Sequence, residues 1–227
     1  MAHPVSVDIV ADFVCPWCWL GKRNWDTAVA SMSGVKLETL WRPYQLDPTI
    51  PREGRPYRDY MKAKFSGEAS AQWKQMRDYL EAAAPAAGIT FRFDDLEVRP
   101  NTLNAHRLMR WAGGQGLSDA VAEALFKAFF EECRDIGDPG VLTEIARHAG
   151  MDADIVANLL ASEKDSKPVW EEEMFYRKLG VSGVPTYIFN GQFAVSGAQE
   201  PSVLVDAIRQ AQASPAEADE ADGETTA

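Results

Sequence analysis

Two cysteines three residues apart, Cys15-Pro16-Trp17-Cys18, stand where an apolar strand-like run meets a helix-like run, and that junction constrains the chain more than any other feature. The preceding run, residues 5–14, is short, apolar and β-branched, the pattern of a buried strand. The following run, residues 17–32, reads as a helix that stops near Ser33-Gly34. On a helix, residues three apart lie about one turn apart. A cysteine at the helix start meets unpaired backbone N–H groups and the positive end of the helix dipole, and both stabilise a thiolate. Pro16 suits the first turn, where its missing N–H costs nothing. Cys18 then falls inside that turn, less exposed, placed to attack a mixed disulfide on Cys15. The predicted geometry is that of a dithiol–disulfide exchange centre.

The motif alone is also compatible with half of a zinc site or with a static disulfide. A zinc site needs a second Cys/His pair at ligand spacing. The remaining candidates are Cys133, His3, His106 and His148, and no two of them have that spacing. No metal is expected. Three cysteines in 227 residues are too few for a secreted disulfide scaffold. The formal net charge of −11 argues against a nucleic-acid or anionic-membrane partner. No basic leader or long apolar run precedes Cys15, and no stretch approaches a membrane span of about 18 apolar residues. A cytoplasmic protein is expected, whose CxxC cycles or is kept reduced.

Residues 35–41 alternate at period two and predict a second strand, followed by a Pro-rich loop from Arg42 to Pro56. From about residue 58 to 179 the pattern is helical. Helices are predicted over 58–65, 69–87, 101–112, 118–133, 139–149, 152–162 and 167–179, with a short extended piece at 89–93. Trp73, Met76, Tyr79, Leu80 and Ala83 form the apolar stripe of the second, and Ser118 is the expected N-cap of the fourth. Strands return at 186–189 and 193–196, joined by a two-residue Asn190-Gly191 turn. A closing helix at 199–212 turns Val203, Leu204, Ala207, Ile208 and Ala211 inward. From Pro215 the chain has no large apolar residue and carries Asp219, Glu220, Asp222 and Glu224, so residues 214–227 read as a disordered acidic tail. The order is β-α-β, a helical block, then α-β-β-α.

The cysteine motif between a first strand and helix, Gly183-Val184-Pro185-Thr186 before the hairpin, and the helical block between them resemble the DsbA-like branch of the thioredoxin superfamily. Cys15-Pro-Trp-Cys-Trp-Leu-Gly-Lys22, Trp41-Arg-Pro-Tyr-Gln-Leu-Asp-Pro48, Asn101-Thr-Leu-Asn-Ala-His-Arg-Leu108 and Asp135-Ile-Gly-Asp138 are similar to its FrnE-like subgroup. The resemblance implies an α/β, thioredoxin-like fold with a large all-helical insertion domain. Residues 1–54 and 166–213 would form the discontinuous thioredoxin-like domain, and 55–165 the insertion. It implies a cis Val184–Pro185 peptide beside Cys15, with Val184, Pro185 and Thr186 offering backbone groups to an extended substrate. It also sets Asn101 and His106 on a segment facing the junction. His106 could stabilise a thiolate or relay a proton, or be an ordinary core histidine.

The same branch contains glutathione-dependent isomerases, such as 2-hydroxychromene-2-carboxylate isomerase, and kappa-class glutathione transferases, where serine commonly replaces the first cysteine. This chain keeps Cys15 and Cys18, which favours redox exchange. No tightly bound cofactor is expected, and glutathione fits as a co-substrate. Expected partners are cysteine-containing proteins or low-molecular-weight thiols and disulfides. An isomerase acting on a small hydrophobic substrate and a chaperone-like binding module are the rival readings. Within the site, Cys15 is the expected nucleophile and Cys18 the resolving thiol. Pro16 and Trp17 tune the pair, and Trp17 adds apolar surface for substrate. Asp12 is a candidate proton acceptor for Cys18, with a loop or cap role as its alternative. Cys133 is expected to be a buried, inert thiol, with a third redox-active thiol as its alternative.

Overall fold

The computed structural model describes residues 4–214, so the acidic tail predicted at 214–227 lies, apart from Ser214, outside the described residues. Strand β1 (Val5–Ala11) is central in a four-stranded sheet of order β2-β1-β5-β6. It pairs in parallel with β2 (Leu37–Pro43) and antiparallel with β5 (Thr186–Phe189), which continues into β6 (Phe193–Ser196). Helix α1 (Pro16–Ala30) links β1 to β2 as the crossover that a parallel pair needs. Helix α9 (Pro201–Ala213) packs against α1. This is the α/β thioredoxin-like arrangement, with helices inserted between β2 and β5.

Those helices are α2 (Tyr57–Lys64), α3 (Ala69–Ala87), α4 (Leu103–Gly113), α5 (Ser118–Phe130), α6 (Pro139–His148), α7 (Ala153–Leu160) and α8 (Ser166–Lys178). Asp138 and Asp152 cap α6 and α7, each accepting two backbone N–H groups on one carboxylate oxygen. Such caps stabilise by about 1 kcal/mol apiece. The inserted helices share their core with the sheet. Trp19 of α1 lies nearly parallel to Phe130 and Phe126 of α5, at 5.7 and 6.3 Å, and meets Phe91 edge-on. Below α1, buried Lys22 faces Asp26 at 2.9 Å and Asp119 and Glu123 of α5 at 3.2 Å, tying the two helices together. Helix α8 sends the Tyr176 hydroxyl to Asp8 of β1. Among the described residues no helix is long and apolar enough to cross a membrane.

Several local expectations are corrected. Strand β1 ends at Ala11, three residues short of the predicted Val14, because the chain turns through Asp12, whose carbonyl accepts the Cys15 N–H. Strand β2 starts and ends two residues late and takes in Pro43. It is an edge strand, so the ring displaces no interior ladder bond. The predicted extended piece at 89–93 is irregular and leads into a 3-10 turn at Phe93–Asp95. A two-residue ladder, β3 (Arg55–Pro56) with β4 (Val98–Arg99), replaces part of the predicted loop. Ser118 is the first residue of α5, and the capping position falls to Leu117. The hairpin pairs Phe189 with Phe193, leaving Asn190, Gly191 and Gln192 in the turn. Val203 and Tyr79 face outward. Cys133 lies beyond the end of α5 and is half-buried, not buried, with its Sγ 3.7 Å from the Arg92 carbonyl.

Candidate active site

Cys15 occupies the N-cap of α1 in extended conformation, with Pro16 next as the first helical residue. Its side chain makes no capping bond, so the sulfur is free to point elsewhere. It points across the sheet end, where Sγ–H donates to the Val184 carbonyl at 3.6 Å. The Cys15 carbonyl accepts the N–H of Cys18 at 3.0 Å, closing the first turn and bringing the second thiol under the first. Both thiols are free and buried, Cys15 at 4 % exposure and Cys18 at 1 %.

The surroundings of Cys18 keep it protonated. Burial pushes its pKa well up, and the Cys15 sulfur and the Asp12 charge push the same way. The Asp12 backbone N–H acts in the opposite direction and favours the thiolate. The second thiol is therefore a poor nucleophile in this state.

The Val184–Pro185 peptide is cis. The loop is braced on both sides. Thr186 Oγ1 donates to the Gly183 carbonyl at 2.8 Å, and the Pro185 carbonyl accepts the Gly197 N–H at 2.8 Å. Pro185 packs directly on α1 at Gly21, where an added Cβ would come within 2.9 Å of the ring and 2.7 Å of the Tyr187 hydroxyl. Gly21 is thus the residue that lets the proline loop and the cysteine helix approach.

Asp12 is buried, with Oδ2 accepting the Leu46 N–H at 2.8 Å. Its Oδ1 stands 3.5 Å from His106 Nε2, and neither of those two atoms has a hydrogen-bond partner. Burial alone would raise the Asp12 pKa, but His106, Arg99 and the Leu46 N–H outweigh it and hold the carboxyl below its ordinary 3.8. A depressed folded-state value stabilises the fold above the unfolded value and is lost as pH falls through the folded one. Asp12→Asn should therefore be less stable than wild type at neutral pH, with the gap closing below about pH 4. Urea denaturation across a pH series checks this, and a gap that stays constant into acid would refute it.

The remaining expected residues are placed as follows. His106, on α4, packs against Phe13 with ring centroids 5.2 Å apart and lines a cavity of about 280 Å³ together with Trp41, Arg42 and Glu172. Asn101 is committed locally: its amide donates to the Ile50 carbonyl at 2.6 Å and its oxygen accepts the Leu103 N–H. Trp17 is half-buried beside Tyr79 of α3, at 5.4 Å between centroids. Two residues at the site carried no reading from the sequence. Arg99 of β4 is buried, donates to the Val14 carbonyl just before Cys15 and lies over the Tyr60 ring. Gly21 did leave a trace, as an isolated glycine inside a helical pattern, which commonly marks close packing.

A dithiol at the head of the first helix, facing a cis-proline loop that opens the return hairpin of a β2-β1-β5-β6 sheet, defines a thioredoxin-like protein. The chain belongs to the DSBA-like thioredoxin domain family, whose model matches residues 6–209. A structure of a probable DsbA oxidoreductase from Streptomyces coelicolor is 30 % identical, superposes with a TM-score of 0.85, and covers 97 % of this chain and 95 % of its own. The Bacillus subtilis protein YwbO is 26 % identical over 206 residues, spanning 90 % of this chain and 96 % of YwbO. Cytosolic disulfide reductase DsbM from Pseudomonas aeruginosa, solved with GSH, shares the fold at 15 % identity and a TM-score of 0.59, covering 92 % and 96 % of the two chains.

Proposed function

We propose that the protein is a thiol–disulfide oxidoreductase in which Cys15 attacks a protein or small-molecule disulfide and Cys18 resolves the mixed disulfide. The observation that carries this reading is the pairing of Cys15 Sγ with the Val184 carbonyl, with Cys18 buried one turn behind. A substrate sulfur bonded to Cys15 would emerge beside the backbone of residues 183–186, where an extended segment can add as a strand. Trp17 and Tyr79 offer an aromatic surface at the same end of α1. The electrons pass as a pair: two thiols become one disulfide while the substrate disulfide becomes two thiols.

Glutathione is the low-molecular-weight partner this reading favours, and DsbM with GSH on the same fold is the precedent. A cytoplasmic site of action goes with it. The presence of Cys18 favours exchange over glutathione-dependent isomerisation, which needs no second thiol.

The test is to oxidise the purified protein with glutathione disulfide, map its cysteines by peptide mass, and assay dithiothreitol-driven insulin reduction. A Cys15–Cys18 disulfide and insulin turnover above the dithiothreitol background are expected. Glutathione retained on Cys15 without release, or no turnover, would overturn the proposal.

A further inference from the structure

Tyr187 stands two residues beyond Pro185 in β5, opposite Ile9 of β1, and is fully buried. Trp25 of α1 lies against its ring, with centroids 5.7 Å apart and planes 25° apart, so the ring is held in one orientation. The hydroxyl reaches the α1 backbone at Gly21. Gly21 is three residues beyond Cys18, and such residues share a helix face. The phenol tip therefore lies along the face that carries the second thiol.

That hydroxyl has no hydrogen-bond partner. A buried O–H without a partner is costly and uncommon. A phenylalanine would fill the same space without the cost, and β5 uses one two residues later, at Phe189. After burial itself, the Cys18 sulfur is the group that most raises the pKa of the hydroxyl, ahead of Asp26 and Cys15. The group thus keeps its proton and is available as a donor.

We propose that Tyr187 is a positioning residue for resolution: its hydroxyl donates a hydrogen bond to the Cys18 sulfur as that sulfur gives up its proton. This inference rests on the exchange reading above. In the mixed disulfide, Cys18 Sγ attacks Cys15 Sγ. The Cys15–Cys18 bond forms as the bond from Cys15 to the substrate sulfur breaks. The substrate sulfur leaves with the bonding pair and takes up, through water, the proton that Cys18 lost. Tyr187 neither gains nor loses a proton. Its bond strengthens as charge develops on Cys18, because a donor binds a thiolate more tightly than a thiol.

The charged and titratable groups around the pair do not supply such a donor. On α1 they are Cys15 and Asp26, and Lys22, which is shared among Asp26 and the Asp119 and Glu123 of α5. From the turn before α1 comes Asp12, matched by His106 of α4 and Arg99 of β4. The Asp12 backbone N–H is the other group that favours the Cys18 thiolate.

The test is Tyr187→Phe in a Cys133→Ala background, which leaves Cys15 and Cys18 as the reacting thiols, in stopped-flow reaction with 5,5′-dithiobis(2-nitrobenzoate). A first nitrothiobenzoate is released when Cys15 forms the mixed disulfide and a second when Cys18 resolves it. The second phase should slow about tenfold and its pH profile should move about one unit alkaline. The first phase should stay within about twofold of wild type, and the melting temperature should be unchanged or higher. A second phase within about twofold of wild type across the pH range would overturn the role. If the variant does not fold, 3-fluorotyrosine at position 187 keeps the ring and acidifies the O–H. It should then speed the second phase, and an unchanged rate overturns the inference. Failure of wild type itself to release the second nitrothiobenzoate would instead bring down the exchange reading.

Discussion

Cys15→Ser is expected to lower insulin-reducing turnover by about 10³-fold or more while leaving the fold intact. Serine is a preferred N-cap, whereas the Cys15 side chain makes no capping bond, so the helix start should be held at least as well. Only the chemistry is lost, because a hydroxyl at this position cannot open a disulfide. Cys18→Ser should behave differently. Cys15 still attacks, but nothing beneath it resolves the product, and a mixed disulfide accumulates that intact mass detects. Turbidity assays on the two variants check the pair of outcomes. Turnover in Cys15→Ser above about a tenth of wild type would remove Cys15 from the role of nucleophile.

The placement of the two cysteines was legible in the sequence, since it depends on residue types at short spacing. Cys15, Pro16 and Cys18 carry their geometry in the helix start itself, whereas the cis Val184–Pro185 bond followed from the family resemblance, because an X–Pro bond by itself is far more often trans. The order of strands and helices was legible for a similar reason, through period and turn residues. What periodicity does not resolve is which edge of a broad apolar stripe goes inward. Val203 and Tyr79 sit on such edges and are both exposed, Tyr79 keeping only the flank contact with Trp17 of α1. Strand β2 shifted by two residues because its parallel pairing of Leu37 with Val5 decides the register, and alternation alone does not. The two-residue β3–β4 ladder is too short to leave a pattern. Arg99, Lys22 and Tyr187 owe their environment to residues distant in the chain, and no local rule singles them out. Asn101 shows the converse. Its segment resembled the family's, yet its amide is spent on Ile50 and its oxygen on Leu103, as a loop brace.

Gly21→Ala tests whether close approach of the proline loop to α1 sets the geometry of exchange. Two effects oppose each other. Alanine is favoured over glycine within a helix by about 0.8–1 kcal/mol. Against that, the new Cβ would lie 2.7 Å from the Tyr187 hydroxyl and 2.9 Å from the Pro185 ring, and neither neighbour is free to swing away. Trp25 holds the tyrosine ring, and the Gly197 N–H holds the proline carbonyl. Overpacking of this kind costs about 1–3 kcal/mol, so the net change should be destabilising by about 1 kcal/mol. The larger effect falls on activity. The strain relaxes by lifting residues 184–187 away from α1, which lengthens the contact between Cys15 Sγ and the Val184 carbonyl. A displacement approaching 1 Å at a reacting centre lowers turnover by about 10²-fold, and a loss of about 10- to 100-fold is expected here. Adding Tyr187→Phe removes the nearer of the two clashes. The double variant should therefore recover stability relative to the sum of the single changes, with a coupling of about 0.5–1 kcal/mol in urea denaturation. Strict additivity would mean that the hydroxyl does not press on α1 at Gly21, and the approach of loop to helix would then be set by Pro185 alone.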